Sequence, residues 1–158
     1  MEKKNKLDAR DLQILSILQQ DAMTPVVEIA ERIGLSTTPC WRRIQKLEAE
    51  GVIRRRVALL DPAALNVPVS VFVAIRTSRH SAEWLEQFRN ALDGIPEVVE
   101  AYRMSGEVDY LLRVVVPDIA GYDAVYKRLI ERIELADVTS SFSMEEMKHT
   151  TALPLDYA

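Results

Sequence analysis

The spacing of apolar residues changes once along this chain, and that change constrains the fold more than any other feature. Through residue 53 the apolar positions recur every three or four residues, the period of a helix face. Beyond the Asp61-Pro62 turn signal they alternate instead. Val69, Val71, Val73 and Ile75 interleave with Ser70, Phe72, Ala74 and Arg76, the period of a strand with one buried side. Two periods in 158 residues predict two small modules rather than one uniform domain.

The first module reads as three short helices. Asp8 is placed to cap a helix whose Leu12, Leu15 and Leu18 share a face. Thr24-Pro25 reads as a cap followed by proline at the first helical position. Val26, Ile29, Ala30 and Ile33 form the second helix's inner side, and Gly34 ends it in the left-handed conformation. Ser36 or Thr37 caps a third helix that keeps Cys40, Ile44 and Leu47 inward until Gly51. A short helix, a tight glycine turn and a longer helix form the helix-turn-helix pattern.

After an extended connector the elements alternate. Ser81 caps a helix carrying Trp84, Leu85, Phe88 and Leu92, and Val98–Met104 and Tyr110–Val116 read as strands joined through Ser105-Gly106-Glu107. Asp118 caps a helix running to Ile133, Val138–Glu145 is a last clear strand, and Thr150–Leu155 is an edge strand or a tail. The order βαββαβ is the ferredoxin-like arrangement, with helices on one face of a four-stranded sheet. The expected fold is therefore α+β: a helix-turn-helix domain over residues 1–53, a connector over 54–68, and a ferredoxin-like domain over 69–158. The uncovered sheet face calls for a partner, most economically a second copy.

Charge follows the same division. Residues 1–60 carry 11 Lys and Arg against 8 Asp and Glu, whereas residues 61–158 carry 9 against 16. The overall charge of −4 thus conceals a basic module joined to an acidic one. In the third helix the side facing away from Cys40, Ile44 and Leu47 is Thr38, Trp41, Arg42 and Gln45. Arg42 has the fork geometry to donate twice to guanine, and Gln45 pairs with adenine in the same two-point way. Thr37 and Thr38 stand where a helix N-terminus meets phosphate. Arg43, Lys46 and Arg54 to Arg56 read as backbone contacts, which give affinity rather than sequence choice. The competing reading is a plain helical bundle with a solvated basic face, and Trp41 has the further reading of a packing residue against the second module. Cys40 reads as a small core residue.

Several stretches together resemble one family. They are Leu7-Asp8-x-x-Asp11-x-x-Ile14-Leu15, Glu28-Ile29-Ala30-x-x-Ile33-Gly34-Leu35-Ser36, Arg43-Ile44-x-x-Leu47-Glu48-x-x-Gly51-Val52-Ile53, Val57–Pro62, Gly106-x-x-Asp109-Tyr110 and Lys148-x-Thr150-Thr151-x-Leu153-Pro154. In this order they resemble the leucine-responsive/asparagine-regulator (Lrp/AsnC) transcription factors of bacteria and archaea. Thr37-Thr38-Pro39-Cys40-Trp41, Val57–Pro62, His80-Ser81-x-Glu83-Trp84 and Val138–Phe142 are most similar to the branch of cysteine-responsive detoxification regulators. The resemblance implies binding of double-stranded DNA, an amino-acid effector with cysteine first among candidates, and homodimers assembling into an even-numbered oligomer such as an octamer.

It also implies an effector site at the turn after Met104. Successive backbone N–H groups of Ser105-Gly106-Glu107 suit a carboxylate, and Asp109 either answers the ammonium or orders the loop. Gly106 and Asp109 are the residues carried over; neighbouring Met104 and Ser105, and Ser140 and Ser141 of the last strand, are further candidates. Read without the family, Gly106 is an ordinary hairpin glycine and Asp109 a turn cap.

Other chemistries find little support in the sequence. One cysteine builds neither a disulfide framework nor a multi-cysteine metal site, and fits a reducing, cytoplasmic setting. His80 and His149 stand apart and read as solvated. The charged start Met1–Lys6 has no apolar signal-peptide core, and no apolar run approaches the roughly 20 residues needed to cross a bilayer. No metal, cofactor or catalytic constellation is expected. Two alternatives stand beside the regulator: an architectural DNA-binding protein with little sequence preference, and a small-molecule enzyme on the ferredoxin-like domain.

Overall fold

A computed structural model describes residues 7–158, so the opening Met1–Lys6 lies outside the described residues. The chain forms two compact units. Residues up to Ala58, joined by Lys148–Ala158, make the first, and Leu59–Met147 make the second. The C-terminal tail therefore groups with the helices, whereas its place after the last strand puts it in the expected sheet domain over 69–158.

The first unit contains α1 (Ala9–Leu18), α2 (Val26–Ile33) and α3 (Thr37–Ala49). Asp8 caps α1 by accepting from the N–H groups of Arg10 and Asp11, and the Asp11 carboxylate accepts from the Asp8 N–H in return. The innermost residues of α1 are Ile14 and Leu18, whereas Leu12 and Leu15 are only half-buried. Leu12, Ile14, Leu15, Ile17 and Leu18 put apolar groups on more than one side of this helix, so spacing alone did not single out the buried stripe.

At α2 the cap also differs from expectation. Pro25 is extended (φ −62°, ψ 144°) and occupies the cap position itself, so the helix starts at Val26. The Thr24 hydroxyl instead donates to the Asp21 carbonyl at 2.9 Å. Gly34 does close α2 at φ 67°, a conformation that would strain a residue with a Cβ. Ser36 stands at the α3 cap without a side-chain hydrogen bond. Ile29, Ala30, Ile33, Cys40, Ile44 and Leu47 join Ile14 and Leu18 in one buried cluster. The tail is no strand: Gln19 holds it, its amide donating to the Leu153 carbonyl and accepting from the Leu153 N–H.

The second unit is the expected βαββαβ chain: β1 (Val69–Arg76), α4 (Ala82–Asp93), β2 (Val98–Arg103), β3 (Tyr110–Val116), α5 (Ile119–Arg132) and β4 (Asp137–Phe142). Its sheet is antiparallel in the order β2-β3-β1-β4. Ser81 caps α4 and Asp118 caps α5 through their side-chain oxygens. Val71, Val73 and Ile75 pack with Leu112 and Val114 against Trp84, Phe88, Tyr122, Val125 and Leu129 of the helices. The Trp84 indole N–H donates to the Glu134 carbonyl at 3.2 Å, the partner a buried tryptophan requires. Alternation puts Phe72, Ala74, Leu111, Arg113 and Tyr102 on the opposite, helix-free face, where Phe72 and Tyr102 are exposed. β4 ends at Phe142, short of the expected Glu145, because its ladder with β1 stops at Val71 and a single further bond joins Ser143 to Ser70. No described segment between Arg54 and Pro68 is a strand. Asp61 caps a turn there by accepting from Ala63, and Asn66 takes φ 58°.

Candidate DNA-reading helix and effector turn

α3 has two faces. Cys40, Ile44 and Leu47 are buried, while Thr38, Trp41, Arg42 and Gln45 are all exposed. Trp41 is 50% exposed, a large apolar surface left to water beside a cation. Burial pushes the Cys40 thiol up from its ordinary value, which keeps it protonated and suits a core residue.

The basic residues divide by what they touch. Arg42 makes no hydrogen bond or ion pair with any described residue, so its five donors are available. Arg54 is exposed and likewise unpaired among the described residues. Lys46 is only loosely placed, 3.9 Å from Glu50. Gln45 donates to Glu48 at 3.0 Å, an exposed contact that a base edge can replace. Arg56 is held by Glu48 at 3.0 Å and by the Ala22 carbonyl at 3.2 Å.

Arg43 departs from its expected role. Its guanidinium donates at 2.7 Å both to Asp8 and to Asp11, clamping the start of α1 to the middle of α3. Hydrogen bonds to Asp8 and Asp11 raise the Arg43 value further, while the Asp11 N–H, and then Arg43, hold the Asp8 carboxyl below its usual range. Asp11 is 5% exposed, so Arg43 neutralises a buried charge and is less free for a phosphate. The Asp8-x-x-Asp11 spacing was visible in the sequence as a helix cap, but nothing there pointed to a cation 35 positions away.

The effector turn sits at the end of the β2–β3 hairpin. Ser105, Gly106 and Glu107 are exposed, and Gly106 takes φ 122°, which leaves the turn's N–H groups accessible at a position where a Cβ is strained. Asp109 orders the loop: its carboxylate accepts from the Thr77 N–H at 2.8 Å, its N–H donates to Ile75, and its carbonyl accepts from Met104. Thr77, which closes this loop, was not singled out by sequence.

Ser140 and Ser141 do not join the turn within one chain. The row Tyr110–Ile75–Val138 crosses the sheet level with the turn, and Ser141 lies three residues farther along β4, two strands over from β3. That is a separation of roughly 10 Å in each direction. The two serines also face opposite ways. Ser140 shares a hydrogen bond with the Tyr122 hydroxyl under the helices, while Ser141 pairs across from Phe72 on the open side.

Among the described residues no group of His, Cys, Asp and Glu could hold a metal ion, and no helix is long and apolar enough to cross a membrane. Residues 7–54 match the winged helix-turn-helix DNA-binding family and residues 70–153 the Lrp/AsnC ligand binding domain. The chain is 50% identical to a glutamate uptake regulatory protein of Zymomonas mobilis, over 95% of this chain and 92% of that one. It is 46% identical to the DNA-binding transcriptional activator DecR of Escherichia coli, over 95% and 99% respectively. A solved complex of the transcriptional regulator NMB0573 of Neisseria meningitidis with L-Met superposes with a TM-score of 0.90 at 35% identity, covering 96% of this chain and 99% of that one.

Proposed function

This chain belongs to the Lrp/AsnC family of transcription regulators, and from that premise we propose that it reads a specific DNA sequence through α3 and changes its occupancy when a small amino acid binds the second unit. A helix-turn-helix joined to an Lrp/AsnC ligand binding domain makes it a regulator rather than an enzyme. The observation that carries the finer reading is the exposed stripe Thr38, Trp41, Arg42 and Gln45, set opposite a buried Cys40, Ile44 and Leu47.

In this reading Arg42 and Gln45 contact base edges and Trp41 packs against the groove wall. Thr37, Thr38, Lys46 and Arg54 contact phosphates, and Arg43 sets the tilt of α3 through its clamp on α1. Each chain supplies one reading helix, so the working form is a homodimer that assembles to an even-numbered oligomer such as an octamer in the cytoplasm. Phe72 and Tyr102, exposed on the helix-free sheet face, support pairing there.

The effector's carboxylate takes the N–H groups around Ser105 and Gly106 beside Met104, on a loop held in shape by Asp109. Cysteine is the first candidate because four stretches of the chain resemble cysteine-responsive members. The names of the relatives point to more than one amino acid, one being a glutamate uptake regulator and another a complex with L-Met. A calorimetric screen of the twenty amino acids tests this. Saturable binding of cysteine, weakened in Gly106→Val, is the expected result. Binding of none of them overturns the sensing half of the proposal, and binding of another one replaces cysteine.

A further inference from the structure

The Glu48 carboxylate is shared between two partners, one on each oxygen. Oε1 accepts from the Arg56 guanidinium at 3.0 Å, and Oε2 accepts from the Gln45 side-chain amide at 3.0 Å. Arg56 is itself pinned, because its other terminal nitrogen donates to the Ala22 carbonyl at 3.2 Å. A row of contacts therefore runs from the turn before α2, through Arg56 and Glu48, to Gln45 on the exposed stripe of α3. Gln45 and Glu48 are three residues apart and so share one side of the helix.

The consequence lies in the chemistry of an amide. Its oxygen and nitrogen occupy interchangeable places in a flat group, so an unheld glutamine can turn either edge to a base. A carboxylate paired with a guanidinium only accepts, which makes nitrogen the atom of Gln45 that faces Glu48. The two carboxylate oxygens lie in one plane, so holding Oε1 on Arg56 also sets the direction of Oε2. Gln45 has a second N–H, and a base edge need not displace the Glu48 contact to meet it. One N–H and one carbonyl oxygen remain, the pair that matches N7 and N6 of adenine. Guanine shows two acceptors there, N7 and O6, and the Gln45 oxygen would face one of them unpaired.

We propose that Glu48 is the positioning residue through which Gln45 prefers adenine to guanine, and that Arg56 serves Glu48 rather than a phosphate. This rests on Gln45 reading a base edge, as proposed above. The Glu48 charge repels every duplex alike, so the effect shows in the ratio between bases and not in overall affinity.

The full-length protein is first selected on a random duplex library, and the position read by Gln45 is the one whose preference disappears in Gln45→Ala. Affinities for duplexes carrying each of the four bases there are then measured by fluorescence anisotropy at one salt concentration. Glu48→Ala should lower the adenine-to-guanine ratio by about threefold to tenfold, the worth of one hydrogen bond, and leave other positions unchanged. Glu48→Gln is the sharper variant. Its shape is the same, but Arg56 claims its amide oxygen, which turns an N–H toward Gln45 and reverses the Gln45 amide. Preference should then move toward guanine. The ion pair with Arg56 is exposed and adds little stability, so the melting temperature should stay within about a degree in both variants. An unchanged ratio in both Glu48 variants, or a base other than adenine at this position, overturns the proposal while Gln45 remains a reading residue. If Gln45→Ala removes no preference anywhere, the reading by Gln45 is itself overturned. Equal weakening on all four duplexes in Arg56→Ala, with the ratio unchanged, returns Arg56 to the phosphate backbone.

Discussion

The two units treat their functional residues in opposite ways. In the helical unit, Thr38, Trp41 and Arg42 contribute nothing visible to the fold: they are exposed, and Arg42 is unpaired among the described residues. In the sheet unit the candidate residues also build the structure. Asp109 closes a loop onto Thr77, Gly106 supplies a turn conformation that a Cβ would strain, and Ser140 is bonded to Tyr122. Recognition and stability should therefore separate cleanly under mutation in the first unit and remain entangled in the second.

Core truncation gives the largest effect and tests whether the units are independent. Leu47→Ala removes a side chain that is 1% exposed and should destabilise the helical unit by about 2–5 kcal/mol. Leu112→Ala should do the same to the sheet unit. Two calorimetric transitions, each moved by only one of the variants, are expected. If both variants shift a single common transition, the division fails.

Arg42→Ala comes next and isolates recognition. It should cost about 1–3 kcal/mol of DNA affinity while leaving the melting temperature within about a degree, the combination that a residue unused by the fold predicts. Arg43→Ala should do the reverse. It strands the nearly buried Asp11 carboxylate and should lower the stability of the helical unit by about 1–3 kcal/mol, seen in urea unfolding. A large loss of DNA affinity in Arg43→Ala without loss of stability would restore its role as a phosphate contact.

In the sheet unit, Asp109→Ala should lower stability by about 1–2 kcal/mol and amino-acid binding together, read by melting and calorimetry on one sample. A loss of binding at unchanged stability would show that the entanglement is not real there. The smallest effect concerns acid. Asp8 has a folded value below its ordinary 3.8, so its contribution is present above that pH and is lost as pH falls through the folded value. Asp8→Asn should flatten the acid limb of the helical unit's unfolding curve, followed by circular dichroism, and leave the sheet unit's limb unchanged.

Much of this division was legible in the sequence because it rests on periodicity. The change from a helical to an alternating pattern separates helices from sheet, and Gly34, Ser81 and Asp118 mark the ends of individual helices through short-range backbone chemistry. The two faces of α3 followed from spacing alone. What escaped the sequence depends on contacts between distant positions. Arg43 meets Asp8 and Asp11, Gln19 holds Leu153, and Asp109 reaches Thr77. Ser140 and Ser141 are both candidates by sequence, but neighbours along a strand point to opposite faces. α1 departs from its Leu12, Leu15 and Leu18 spacing for a different reason: with apolar groups on several sides, its burial is decided by the helices packed against it.

The central claim is that the exposed face of α3 reads sequence. Selection of the full-length protein against a random duplex library, followed by affinity measurement on enriched and unselected DNA at one physiological salt concentration, tests it most directly. The account predicts an enriched motif bound about a thousandfold or more above random duplex, with the preference relaxed at one position in Arg42→Ala. Binding of similar strength to both DNAs, with the same steep salt dependence and no change in Arg42→Ala, would contradict it and describe an architectural protein instead.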